Sequence, residues 1–214
     1  MNREEKSQDL VKTIIDVTRE LFLSQGYRKT TIRQIIDKVG INTGSLYHYF
    51  KDKEDIFLHI TRQTYSDFIT YVDSMTEGED VALKYALTRA LEFKLVENYD
   101  RIAELYLEAY SSWRIGGMVQ PINMKRNKDF FHQYNPDFTA EDYHNRTLAM
   151  RGMRLIFISE RVHSGPGKFD SWCPFLIETA LNVFNVPKQN IENAIVKAME
   201  MVKKDTASIQ GLMI

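Results

Sequence analysis

The stretch from Thr31 to Phe50 constrains this chain more than any other, because it holds two helix starts and a helix stop in immediate succession. Thr31 and Gln34 have the capping-box spacing, in which a hydroxyl and an amide side chain satisfy the orphan N–H groups of a first turn. Ile32, Ile35, Ile36 and Val39 then form a short apolar face that stops at Gly40, so this second helix has barely two turns. Asn42 is a good N-cap for a third short helix, on which Leu46 and Phe50, four residues apart, point to one side. Ahead of both, Leu10, Ile14, Val17 and Leu21 recur at helical spacing, with Ile15 and Phe22 widening the stripe and Gly26 ending it. Two short helices joined across Gly40 and Ile41, packed on a longer preceding one, give the tri-helical form of a helix-turn-helix domain.

The rest of the chain continues in helices. Asp52 caps a fourth, carried by Ile56, Phe57, Ile60, Phe68 and Val72 to about Met75. Beyond the polar break Thr76–Asp80 no strand alternation is convincing, and the sequence predicts helices near 80–97, 99–114, 118–134, 139–163, 171–185 and 188–204. The breakers between them are Gly116 and Gly117, Pro136, Ser164 to Gly167, and Pro187. Thr139 and Asp142 resemble a second capping box, and Pro174 is placed in a first turn, where its missing N–H costs little. The expected class is therefore all-α, with an N-terminal three-helix domain over residues 1–55 and a larger helical domain over 56–214.

Charge is distributed unevenly. The whole chain balances 28 basic against 29 acidic residues, yet between Arg28 and Lys53 six basic side chains face only Asp37 and Asp52. That local excess is the footprint of a molecule that meets phosphates with one end only. With Cys173 the sole cysteine, neither an intramolecular disulfide nor a cysteine-based zinc cluster is available, and a reducing, cytoplasmic setting is expected. Residues Met1 to Gln8 are charged rather than apolar, and no run approaches the roughly 20 apolar residues that cross a bilayer. No metal or cofactor site is expected.

Sorting the third helix at 100° per residue, with Leu46 and Phe50 inward, turns Gly44, Ser45 and His48 outward and puts Tyr47 and Tyr49 on the flanks. A helix inserted into a major groove reads bases through its first turn, which makes Thr43, Gly44 and Ser45 the expected readers. Thr31 and Lys53, at the starts of helices two and four, are expected phosphate contacts.

The run from Gly26 through Tyr27, Arg28, Lys29, Thr30, Thr31, Ile32, Arg33 and Gln34 to Ile36, with Val39-Gly40-Ile41 and Gly44-Ser45-Leu46-Tyr47-His48-Tyr49-Phe50-Lys51-Asp52-Lys53-Glu54, resembles the DNA-binding domain of TetR-type regulators. The resemblance covers about residues 8–60. It implies DNA contacts by Thr31, Thr43, Gly44, Ser45, Tyr47, His48, Tyr49 and Lys53, a third helix in the major groove, and a homodimer on a palindromic operator. The chain departs from the pattern in setting Glu4 and Glu5 beside Arg3 and Lys6, which weighs against minor-groove contacts by the arm.

The same resemblance implies an effector pocket between helices five and eight and a four-helix bundle made of two late helices from each subunit. Among the aromatic and methionine residues of that region, Tyr85, Tyr106, Tyr110, Trp113, Phe131, Met150 and Met153 are the candidate pocket lining, with His132, His144 and Arg146 as candidate polar groups. Leu148, Gly152, Leu155 and Ser159 form a row at spacings of four, three and four, and Phe175, Leu176, Thr179, Val183 and Phe184 give the facing stripe; these are the candidate dimer residues. The expected partners are operator DNA, a small effector and a second copy of the chain. Rivals are a helical enzyme or a protein-binding adaptor with an incidental helix-turn-helix, but the five histidines lack the four-apart pair of a helical zinc protease and no glycine-rich loop follows a strand.

Overall fold

Helices shorter than about 12–15 residues are marginal in water, because nucleation is costly, so the short helices of this chain must be held by their ends and by one buried face. The computed structural model describes residues 3–204, and side chains from residue 4; Met1, Asn2, the Arg3 side chain and residues 205–214 lie outside the described residues. Among the described residues the α-helices are α1 (Arg3–Gln25), α2 (Ile32–Val39), α3 (Thr43–Tyr49), α4 (Lys53–Met75), α5 (Val81–Asn98), α6 (Asp100–Ser111), α7 (Trp113–Phe131), α8 (Ala140–Ser164), α9 (Phe169–Val183) and α10 (Lys188–Lys204). A 3-10 turn follows α7, and no strand occurs among the described residues. No described helix is long and apolar enough to cross a membrane. The chain divides into two compact units, one to Tyr65 and one from Ser66, so the division falls within α4.

In the first unit the local signals act as the sequence requires. Thr31 Oγ1 accepts from the Gln34 N–H at 3.2 Å and Gln34 Oε1 accepts from the Thr31 N–H at 2.8 Å, closing the capping box. Gly40 ends α2 at φ 77°, a left-handed value that a side chain would strain. Asn42 Oδ1 accepts from Ser45 N–H, and Asp52 Oδ1 from Asp55 N–H, opening α3 and α4. Ile14, Phe22, Ile35, Leu46, Phe50, Ile56 and Phe57 form the core. Phe22, Tyr27 and Phe57 make a three-ring cluster with centroids 5.0–5.3 Å apart.

In the second unit α5 is buried on nearly every face, packed chiefly by α9 and α10 and also by α6. A helix without a distinct polar face belongs inside, and its charged residues, Arg89, Glu92 and Glu97 among them, are carried in with it. Helix α8 lies mainly on α6 and α7.

Two sequence expectations are corrected here. Gly116 and Gly117 do not break a helix; they sit inside α7, which begins at Trp113 because Ser112 Oγ accepts from the Ile115 N–H at 3.1 Å. Gly116 serves close approach instead, since a Cβ there would collide with the Arg151 guanidinium. That guanidinium donates to the carbonyls of Tyr110 and Ser112 and so ties the α6–α7 corner to α8. Pro174 is likewise not in a first turn, because α9 starts earlier, at Phe169. The earlier start is supported from outside the helix: the buried Glu97 carboxylate of α5 accepts the N–H groups of Gly167 and Lys168.

The end of α7 meets the end of α9 through one amide. Asn135 Nδ2 donates to the carbonyls of Phe131 (2.8 Å) and Phe184 (2.6 Å), and its Oδ1 accepts from Asn185 Nδ2 at 2.7 Å. Asn135→Ala leaves buried acceptors unsatisfied, so thermal unfolding should show a loss of about 2–3 kcal/mol; a change within 0.5 kcal/mol, about the size of a surface substitution, would contradict this account.

Candidate nucleic-acid interface

Helix α3 is anchored by Leu46, fully buried, and by Phe50, 2% exposed, at its C-cap. The anchoring fixes the remaining directions: Thr43, Gly44, Tyr47 and His48 are exposed, while Ser45 and Tyr49 are half-buried. Tyr47, 52% exposed, is a large ring left in solvent, which a merely structural helix has no reason to carry. Gly44 adds no bulk to the exposed first turn.

The other candidate residues are partly committed within the protein. Ser45 Oγ donates to Asn42 Oδ1 at 3.1 Å, so it belongs to the cap as well as to the outer face. Tyr49 Oη accepts from Ser7 Oγ at 3.0 Å, and its ring meets His48 edge-on at 4.8 Å, which tethers α3 to α1. Thr31 is exposed at the start of α2 but shares its hydroxyl with Gln34. Lys53 Nζ donates to the carbonyls of Tyr27 (2.7 Å) and Thr30 (2.8 Å) and lies 4.2 Å from the Tyr27 ring centroid. It clamps the α1–α2 loop onto the start of α4, a role that spacing alone did not reveal.

The second unit contains a narrow crevice with room for about one water, lined by Tyr85, Arg89, Glu92, Phe93, Met153, Arg154, Cys173, Leu176 and Ala180. Of the candidate pocket residues it brings together Tyr85 and Met153. Tyr110 connects to it by donating to Glu92 Oε1 at 2.5 Å, and Tyr106 stacks on Tyr110. Burial raises the phenol pKa of both well above the ordinary value, so both stay protonated donors. Phe131 and Met150 are buried, and Phe131 stacks on Phe184 at 4.7 Å.

Trp113 is corrected: at 86% exposed on the first position of α7 it stands in solvent rather than in a cavity. The polar groups are also not those expected. His132 and His144 are exposed, and Arg146 is engaged with Asp142, the Val183 carbonyl and the Phe138 ring. The crevice instead holds Arg89, Glu92 and Arg154. The available signal was α5 itself, whose near-absence of a polar face forces Arg89 and Glu92 inward.

Of the candidate dimer residues, Leu148 is 46% exposed and Gly152 exposed, with Leu155, Ser159, Thr179 and Val183 half-buried. Leu176 is corrected: at 5% exposed it lines the crevice within its own unit, because α9 turns that face toward α5. Phe175 (52% exposed) stands on the open face of α9, whereas Phe184 is buried within its own unit; Ile156 (66% exposed), on the open face of α8, was missed.

A short helix sealed on one side and open on the other, preceded by a capped partner helix across a left-handed glycine, is the geometry of a helix-turn-helix. The comparisons agree. Residues 14–60 match the family described as bacterial regulatory proteins, tetR family. The HTH-type transcriptional repressor KstR2 of Rhodococcus jostii is 40% identical over 68 residues, 31% of this chain and 33% of that protein. The biofilm operon icaADBC HTH-type negative transcriptional regulator IcaR of Staphylococcus aureus (strain Newman) is 26% identical over 147 residues, 63% of this chain and 76% of that one. Thus the chain spans a third of the first relative and about three quarters of the second. Two solved structures share the fold: a protein described as a TetR-family transcriptional regulator from Syntrophomonas wolfei (TM-score 0.54, 18% identity, 84% of this chain and 96% of that one) and a gamma-butyrolactone receptor (TM-score 0.50, 16% identity, 93% and 98%). Residues 14–60 thus match the DNA-binding segment of the tetR family, the fold is that of TetR-type structures, and the relatives matched carry the names of transcriptional regulators.

The two kinds of site residue should separate in stability measurements. Lys53→Met removes charged hydrogen bonds and should lower first-unit stability by about 1.5–3 kcal/mol, whereas Tyr47→Ala should stay within about 0.5 kcal/mol of the parent. Circular-dichroism melts of the two variants check this; equal effects would contradict the assignment of Lys53 as a clamp.

Proposed function

We propose that this chain is a TetR-type transcriptional regulator that acts as a homodimer on palindromic operator DNA, as a repressor, and is released when a small effector enters the second unit. The observation that carries the reading is the outward face of α3, where Thr43, Gly44, Tyr47 and His48 are presented by a helix whose buried side leaves no other orientation. The local excess of basic residues between Arg28 and Lys53 supports phosphate docking at the same end. Against the enzyme rival, burial pushes the Cys173 thiol up to about 12, which makes it a poor nucleophile, and the relatives matched are named as regulators.

Dimerisation is supported by the open faces of α8 and α9, which carry Leu148, Ile156 and Phe175 outward. Phe175 stacks on Phe157 at 6.0 Å, and Phe157 meets Trp172 edge-on at 5.2 Å, so the patch is preformed and aromatic. Two-fold symmetry would pair such a patch with itself. A dimer fixes the spacing of two α3 helices, and an effector that prefers a differently spaced state lowers operator affinity as much as DNA lowers effector affinity. A bound repressor obstructs polymerase, and the names of the two relatives, a repressor and a negative regulator, favour that sign.

The test uses duplex DNA enriched from a random library by the purified chain. Gly44→Glu sets a carboxylate against phosphate and should weaken binding by about 100-fold or more, at a position with space for a side chain; Tyr47→Ala should weaken it by about 2–10-fold. Unchanged anisotropy titrations for Gly44→Glu would refute the assigned face. Ile156→Glu should convert a dimer into a monomer in sedimentation equilibrium, and a parent chain that is monomeric at micromolar concentration overturns the dimer.

A further inference from the structure

The second unit buries more positive charge around its crevice than it neutralises. Arg89 is matched by Glu92, with Nη1 to Oε2 at 2.5 Å, and the Glu92 carboxylate also accepts the Tyr110 hydroxyl. A second, adjoining crevice lined by Tyr85, Arg89, Asn127 and Arg154 includes Arg126, which is matched by Asp73 at 2.9 Å. Arg154 has no such contact: the Glu92 carboxylate, already paired with Arg89, acts on it only from beyond ion-pair distance. It is 8% exposed, lines both crevices, and makes no hydrogen bond or ion pair among the described residues; its guanidinium lies 5.5 Å from the Tyr110 ring centroid and its Nε is buried without a partner. The Tyr85 hydroxyl, on the wall of both crevices, is also buried and unpartnered.

A guanidinium cannot shed its proton to escape burial, so an unmatched one costs several kcal/mol in the folded state. Such a group is retained where something negative seats on it. We propose that the effector is a small monocarboxylic acid, its carboxylate held by Arg154 and the Tyr85 hydroxyl and its apolar body lying against Phe93, Met153 and Leu176. One unmatched cation calls for one negative charge. A phosphate dianion would leave an excess against an apolar wall, whereas a carboxylate matches the guanidinium fork in both charge and geometry. The crevice is narrow without a ligand, and Met153 is the flexible wall that yields to one. The proposal rests on the regulator reading only for what binding does to DNA.

The experiment measures binding of phenylacetate and octanoate, of their neutral amides phenylacetamide and octanamide, and of inorganic phosphate to the full chain by calorimetry and thermal shift. At least one acid should bind and raise the melting temperature, with its amide at least about thirty-fold weaker, the size expected for one truncated charge pair. Arg154→Met should abolish the difference between acid and amide while melting at or above the parent temperature without ligand, since it removes a buried unpaired charge. Arg154→Lys, which keeps the charge, should retain part of the acid preference. Equal binding of acid and amide, preference for phosphate, failure of both acids at millimolar concentration, or an Arg154→Met chain that melts lower and still prefers the acid each overturns the proposal. Operator binding is measured separately without acid, so a chain that binds acids but no DNA refutes the regulator reading and leaves the carboxylate site standing.

Discussion

Everything about the open face of α3 depends on the burial of Leu46 and Phe50. Helix α3 has seven residues, too few to persist unaided, so its existence and its orientation have one cause. Each of these side chains is worth roughly 1.5–3 kcal/mol when removed from water, far more than any propensity difference along the helix. With that pair inward, the helical period dictates which residues face out. The interface is thus the complement of a core, and its chemistry is free to vary because none of it holds the helix in place. Lys53 shows the boundary of that freedom: its ammonium fastens the Tyr27–Thr30 carbonyls, so a residue that reads as a phosphate contact also maintains the support on which α3 rests.

This arrangement explains why the first unit was so legible. Capping boxes, a left-handed glycine and an i, i+4 apolar pair are local signals, each set by residues within a turn of one another. Thr31, Gln34, Gly40, Asn42 and Asp52 do in the structure what their spacing requires. The exposed and buried sides of α3 followed from Leu46 and Phe50 alone. The commitments of Tyr49 to Ser7 and of Lys53 to the α1–α2 loop were not legible, because they join residues far apart in sequence.

In the second unit the long-range terms dominate, and the local reading loses its grip there. Gly116 and Gly117 look like a break until Arg151 is seen filling the space that Gly116 vacates. Trp113 looks like a pocket residue until Ser112 is found to start α7 beside it, and Leu176 looks like an interface residue until α9 is seen to turn it toward α5. In each case the sequence supplied the right residue class for the element, and a contact from another helix decided the direction in which it faces. The helical content itself was readable throughout, since the segments between 80 and 204 carry no strand alternation and are long enough for helices.

Two buried arginines in the same unit separate structure from function. Arg161, 3% exposed, donates to the Glu97 carbonyl at 2.8 Å and to Asp100 at 2.7 Å, while Glu97 accepts the backbone N–H groups that open α9. Its charge is spent on holding the α5–α6 corner to α8. Arg154, less than two turns earlier on α8, has the same burial class and none of these partners. A cation kept for stability is found with its anion, because an unpaired one subtracts from the folded state. Stability therefore accounts for Arg161 and not for Arg154, and the difference between them locates the part of the core that is built to receive something from outside the chain.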